Sequence, residues 1–177
     1  MRKLKVSELE RKSIEEFREA EKSPFVIVLD NVRSLNNIGS VFRTADGFMA
    51  ESVILCGITA KPPHPEIHKT ALGATDSVSW SYFEDTTVAI NELRKKGYKI
   101  ISVEQVDTSV KLQDFVPETG LRYALVFGHE VKGVSEEVVG MSDLSVEIPQ
   151  YGTKHSFNIA VSAGIVMWDI FRKVRLL

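Results

Sequence analysis

The sequence predicts an α/β fold: a mostly parallel sheet flanked by helices. Three observations carry this. Phe25-Val-Ile-Val-Leu29 is a short, continuous, β-branched apolar run, as expected of a strand buried on both faces. After it, strand-like runs alternate with helical segments, the order that lays strands in parallel with helices on either side. Gly57, Gly97 and Gly152 mark turns between these elements.

In chain order, residues 7–22 read as one amphipathic helix. Ser7 and Glu10 form a capping-box pattern, and Leu9, Ile14 and Phe17 supply an apolar stripe. Ser23-Pro24 ends it. Strands are expected at 25–29, 52–56, 78–83, 98–103, 122–127 and 144–148, and helices at 38–49, 65–72, 86–96, 135–141 and 157–174. With no internal repeat, linker or low-complexity segment, residues 25–177 form one domain, preceded by a helical extension over 1–24. The last helix is apolar around most of its circumference, and Ala160, Ala163 and Gly164 admit a close neighbour. Such a helix needs two partners, its own sheet and a second surface, for which another subunit is the simplest candidate. The alternative is a helix buried wholly in its own domain.

Bulk properties narrow the function classes. The 177 residues carry a formal net charge of -2, so the chain has no domain-wide basic field for nucleic acid, and any RNA contact must rest on local charge. No apolar stretch approaches the ~18 residues needed to span a bilayer. The basic start, Met1-Arg-Lys-Leu-Lys-Val6, runs into Glu8, Glu10, Glu15 and Glu16, unlike a signal or transit peptide, and predicts a cytoplasmic protein. The lone cysteine, Cys56, lies in a strand-like run and reads as a small core residue.

Three segments, each following a strand, carry unusual polar residues where parallel sheets bind ligands. In the first, Asn37-Ile-Gly39-Ser-Val-Phe-Arg43 opens a helix. Asn37 is either its N-cap or one of two groups, with the phosphate-gripping guanidinium of Arg43, that face a site. In the second, Gly128-His-Glu130-Val-Lys-Gly133-Val-Ser135 lacks the Lys-Ser/Thr pair of a triphosphate loop and the G-x-G-x-x-G of a dinucleotide site. A backbone-lined turn carrying Glu130 remains. In the third, Ile148-Pro149 leads through Gly152 to Ser156-Phe157-Asn158. Ser156 is a candidate cap, and Asn158 is an amide in an apolar helix that needs a partner. His64-Pro-Glu-Ile-His68 does not have metalloprotease spacing and reads as a loop and helix start; with Lys61 and Lys69 it forms a small positive patch usable against phosphate.

Taken together and in this order, the three segments resemble the SpoU/TrmH branch of the knotted (SPOUT) methyltransferases, across residues 25–170. The resemblance implies a C-terminal trefoil knot, which general topology rules would not suggest, and a homodimer built partly on the last helix. It implies S-adenosylmethionine as methyl donor, with no metal, held near Val103, Glu104, Phe127, Gly128, Ile148, Pro149 and Phe157. Phe157 stands where a leucine is common in the family, and either can pack on adenine. The implied acceptor is a ribose 2′-hydroxyl of tRNA or rRNA. Arg43 is the implied catalytic residue, with Asn37, Glu130, Ser156 and Asn158 as positioning groups. A guanidinium is very hard to deprotonate, so phosphate binding or alkoxide stabilisation is the alternative to a role in proton removal. Arg33, Lys69, Lys154 and Arg172 are the expected RNA contacts. A non-catalytic RNA-binding module of the same fold, and a knotted enzyme that methylates a base, are the competing readings.

Overall fold

The structure is a computed structural model and describes residues 1–176. Seven strands form one sheet: β1 (Ser23–Asp30), β2 (Ala50–Cys56), β3 (Trp80–Phe83), β4 (Tyr98–Val103), β5 (Val110–Lys111), β6 (Arg122–Phe127) and β7 (Leu144–Glu147). Their spatial order is β3-β2-β1-β6-β4-β7-β5, and every pairing is parallel. The helices are α1 (Ile14–Glu19), α2 (Leu35–Gly47), α3 (Pro65–Ala71), α4 (Ala74–Ser77), α5 (Thr86–Lys95), α6 (Glu136–Met141) and α7 (Ile159–Arg175).

The period of two in β1 divides the core. Phe25, Ile27 and Leu29 pack under α2, α3 and α7, whereas Val26 and Val28 pack against Ala89, Ile90 and Leu93 of α5 and Val138 of α6. Both faces of β1 are therefore covered, which explains its unbroken apolar sequence. α2 lies against α3 at close range. A Cβ on Gly39 would fall on the Thr70 hydroxyl and the Ile67 carbonyl, so this glycine serves helix packing.

Each sequence-expected strand is present, and the helix boundaries move by a few residues. α2 starts at Leu35 because Ser34 is its N-cap, accepting from the Asn37 backbone N–H at 3.3 Å. The N-terminal helix requires correction. A 3₁₀ turn at Val6–Glu8 and the short α1 replace a continuous helix over 7–22, and Glu10 has a positive φ of 44°. The capping box belongs to Ser13 and Glu16, not Ser7 and Glu10. Of the expected stripe only Phe17 is buried, while Leu9 and Ile14 are exposed. One anchored side chain cannot offset the nucleation cost of a long helix.

α7 buries Ile159, Ala163, Val166, Met167 and Ile170, and leaves Val161, Ile165 and Trp168 exposed. Gly164 faces Thr44 of α2. Near its end, Asp169 is 9% exposed and pairs with Lys173 at 2.5 Å. The same ammonium donates to the Leu112 and Phe115 carbonyls at 2.8 and 2.7 Å, tying the segment before β6 to the last helix. Cys56 is fully buried as expected, and burial pushes its thiol up to about 12. No helix among the described residues is long and apolar enough to cross a membrane.

Candidate active site

The loops after β1, β4, β6 and β7 meet at the carboxyl ends of the strands, beside the point where the chain leaves β1 for β2 on one side while β6 lies on the other. Glu130 is the junction. Its carboxylate accepts from the backbone N–H groups of Arg33 at 3.1 Å and Ser34 at 2.8 Å, and from the Asn37 side-chain amide at 3.4 Å. The Asn37 oxygen accepts in turn from Asn158 Nδ2 at 3.1 Å. Asn158 Oδ1 caps α7, accepting from Ala160 N–H at 2.9 Å. One polar chain, Glu130–Asn37–Asn158, thus joins the three segments singled out in the sequence.

Burial of Glu130 opposes its charged form. Hydrogen bonds from the backbone of Ser34, Arg33 and Glu130 itself, and from Asn37, outweigh that effect and hold the carboxyl below its ordinary value of 4.5. Because the folded pKa is depressed, the stabilisation is present above the unfolded value and disappears as pH falls through the folded one. Native chain is therefore expected to lose stability below about pH 4, and Glu130→Gln should reduce that acid-side slope in thermal unfolding measured across pH. An unchanged slope would mean the carboxylate is not held by these donors.

Beside this chain lies a cavity of about 490 Å³. Val103, Phe127, Val146, Ile148, Phe157 and Ile159 supply apolar surface, and Glu104, Glu130 and Glu147 are set against the single ammonium of Lys132. The turn after β6 closes on itself through His129 N–H to Gly133 O at 2.9 Å and Gly133 N–H to His129 O at 2.8 Å. A Cβ on Gly128 would collide with the Gly133 carbonyl and the Val134 nitrogen. Glu104 fastens the same turn by accepting from Val134 N–H at 2.9 Å, and Gly133, with φ of 71°, leaves room for that carboxylate.

Most of the sequence-expected residues converge here. Val103, Glu104, Phe127, Gly128, Ile148 and Phe157 line the cavity, as do Glu130, Ser156 and Asn158. Pro149 does not, although its neighbours Ile148 and Gln150 do. Ser156 is exposed and is not the helix cap; Asn158 takes that place because its side chain reaches the Ala160 N–H two residues on. Asn37 is likewise not a cap but the third residue of α2. Arg43 is exposed on α2, lines no part of this cavity, and makes no hydrogen bond or ion pair among the described residues. It stands one turn beyond Gly39, on the face of α2 that turns toward α3.

Of the expected RNA contacts, Arg33, Lys69 and Lys154 are exposed. Arg172 is not a free cation: its guanidinium is held by Asp169 at 2.8 and 3.1 Å. It also follows the Asn158 cap by 14 residues, roughly 21 Å at the helical rise.

The chain matches the SpoU rRNA methylase family model over residues 24–168. It belongs to the SpoU rRNA methylase family. Among curated SpoU-like proteins it is 29% identical over 148 residues to the tRNA (guanosine(18)-2′-O)-methyltransferase of Borreliella burgdorferi, covering 84% of this chain and 66% of the relative. The first curated relatives are longer, and this chain spans between 58% and 66% of their length. Among solved structures, the AdoMet-bound rRNA methyltransferase of Sinorhizobium meliloti matches with a TM-score of 0.79 at 25% identity, over 88% of this chain and 59% of that one. The A. aeolicus TrmH/SpoU tRNA modifying enzyme also gives 0.79, at 24% identity, over 90% of this chain and 80% of that one. Its likeness shows the shared fold.

Sequence reasoning missed the polar support beneath this candidate site. Asp30, 1% exposed, accepts from Ser135 N–H at 2.9 Å, Asn31 Nδ2 at 2.8 Å and the Thr86 hydroxyl at 2.6 Å. Thr59, also buried, donates to Leu29 O and accepts from Val32 N–H. An aspartate closing an apolar strand was the available signal, because a buried carboxylate must find donors.

Proposed function

We propose that this chain transfers a methyl group from S-adenosylmethionine to a ribose 2′-hydroxyl of tRNA or rRNA, in the cytoplasm and as a homodimer. The observation that carries this reading is the Glu130–Asn37–Asn158 chain at the lip of the 490 Å³ cavity. The cavity volume falls within the range of small-molecule sites. Its three carboxylates against one ammonium suit a donor whose sulfonium and amino group outweigh its carboxylate. Family membership and the AdoMet-bound rRNA methyltransferase among its structural neighbours support the same assignment.

The donor supplies an activated methyl group, so alignment is most of what this chain must contribute. Val103, Phe127, Ile148 and Phe157 would hold its apolar parts, and backbone groups of the 127–133 turn its polar ones. Asn37 and Asn158, each fixed by the other, present a rigid edge to the acceptor nucleotide. Arg43 grips its phosphate or stabilises the charge developing on the sugar oxygen. We further infer that the segment between β7 and α7 completes a trefoil knot, a topology that brings its loop beside those after β4 and β6.

The dimer reading rests on Val161, Ile165 and Trp168 of α7, which are 51%, 36% and 48% exposed and follow one another at helical spacing, with Phe157, 42% exposed, just ahead of the helix. This stripe begins at the cavity, so a partner seated on it would meet the site, and Arg43, which lines no part of its own cavity, would serve across the interface. Activity per chain should then fall on dilution into the monomer range, measured alongside sedimentation; full activity from a monomer overturns it.

Nucleoside mass analysis of RNA incubated with protein and donor tests the reaction. The expected product carries the methyl on ribose; methylation on a base, or none, rejects the assignment. Gly128→Ala should weaken donor binding by calorimetry on the order of 10- to 100-fold, since overpacking costs about 1–3 kcal/mol and only opening the turn relieves it.

A further inference from the structure

A second cleft of about 470 Å³ shares no lining residue with the first. Its walls are Pro62, Pro63, Pro65, Ile67 and Trp80, and its polar tips are His64, His68, Thr75 and Asp76. Trp80 opens β3 and is 38% exposed, which leaves ring surface available. The His64 ring accepts from Glu66 N–H through Nδ1 at 3.2 Å, leaving Nε2 as its donor nitrogen. His68 lies one turn along the same face of α3 and is exposed. The Asp76 carboxylate has no hydrogen-bond or ion-pair partner among the described residues. Lys61 and Lys69, both exposed, adjoin lining residues in the chain, and the Lys61 ammonium lies over the Tyr82 ring at 4.1 Å.

We propose that this cleft is a nucleobase subsite that receives one unstacked guanine of the RNA substrate, outside the nucleotide that is methylated. An indole beside prolines is a stacking platform, and single-stranded RNA is read chiefly by stacking plus hydrogen bonds to base edges. The aspartate selects among bases. An ionised carboxylate only accepts, and guanine alone presents two adjacent N–H donors, N1–H and the exocyclic amine, on its pairing edge. The imidazoles of His64 and His68 can donate to the guanine carbonyl or to the flanking phosphate. Position supports the same occupant. α3, capped by His64 and carrying His68, packs on Gly39, one turn before Arg43 on the same face of α2. A single strand leaving the acceptor position would therefore pass this way. The chain's overall charge of -2 makes such local contacts necessary for RNA selection.

The inference rests on the RNA-methyltransferase reading, but its first test does not require it. Guanosine, adenosine, cytidine and uridine 5′-monophosphates are titrated into full-length protein without donor, following tryptophan fluorescence and calorimetric heat. Saturable quenching by guanosine monophosphate is expected, stronger than by the other three. Trp80→Leu should remove the quenching, and Asp76→Asn should erase the preference for guanine, a change of about 10-fold. Equal binding of all four, or quenching that survives Trp80→Leu, overturns the subsite. In the RNA assay, Asp76→Asn should raise KM for RNA about 10-fold with kcat and donor affinity unchanged. An unchanged KM overturns the RNA role even where the mononucleotide binds. Should the protein bind guanosine monophosphate but neither bind donor nor methylate RNA, the subsite stands and the methyltransferase reading fails.

Discussion

Arg43→Ala is expected to lower methyl transfer on the order of 10³-fold while donor affinity, measured by calorimetry, stays unchanged. The separation follows from position. Arg43 is exposed on α2 and lines no part of the cavity proposed for the donor, and across the proposed interface it is assigned to the acceptor rather than to the donor. Its proposed work is on the acceptor, where removing one preorganised donor to a developing oxyanion costs ~10²–10³-fold. Arg43→Lys should recover little, because an ammonium cannot reproduce the planar fork of a guanidinium. A collapse of donor affinity in Arg43→Ala would place the arginine in the wrong half of the site.

Asp169→Ala is expected to cost about 3–5 kcal/mol of stability, the usual penalty for leaving one member of a buried ion pair unpartnered. Asp169 is 9% exposed, and the side chain of Lys173 is 10% exposed. The lysine also holds the Leu112 and Phe115 carbonyls, so losing its counter-ion loosens the hold of α7 on the segment before β6. For a chain of this size, ~2–4 °C per kcal/mol puts the fall in the thermal midpoint at about 6–20 °C. Circular dichroism melts of wild type and variant decide it. A fall of less than about 2 °C would mean that the pair is screened by water and worth no more than a surface bridge.

Several features were legible because each depends on local pattern. The apolar run of β1 and the alternation after it predicted the parallel sheet, and all six expected strands lie where their composition put them. Asn37, Glu130 and Asn158 stood out as polar residues at strand ends or in an apolar helix, and they do find one another. The N-terminal helix failed for the opposite reason. Its pattern was locally acceptable, but only Phe17 reached the core, and a helix with one anchor is not sustained over sixteen residues. The capping roles of Ser156 and Asn37 failed because several side chains near a helix start can cap, and the backbone path chooses among them.

By itself the sequence determined which segments are strands and helices, and which strand ends carry chemistry, because burial period and residue type are written locally. Tertiary structure alone decided that Glu130 would be satisfied by the backbone of residues 33 and 34, and that Gly39 serves α3. It also decided that Asp30 lies beneath the site and Arg43 stands apart from the cavity. The reason is physical. A hydrogen bond between residues nearly a hundred positions apart leaves no periodic trace in the chain, and exists only once the sheet has fixed the order of its strands.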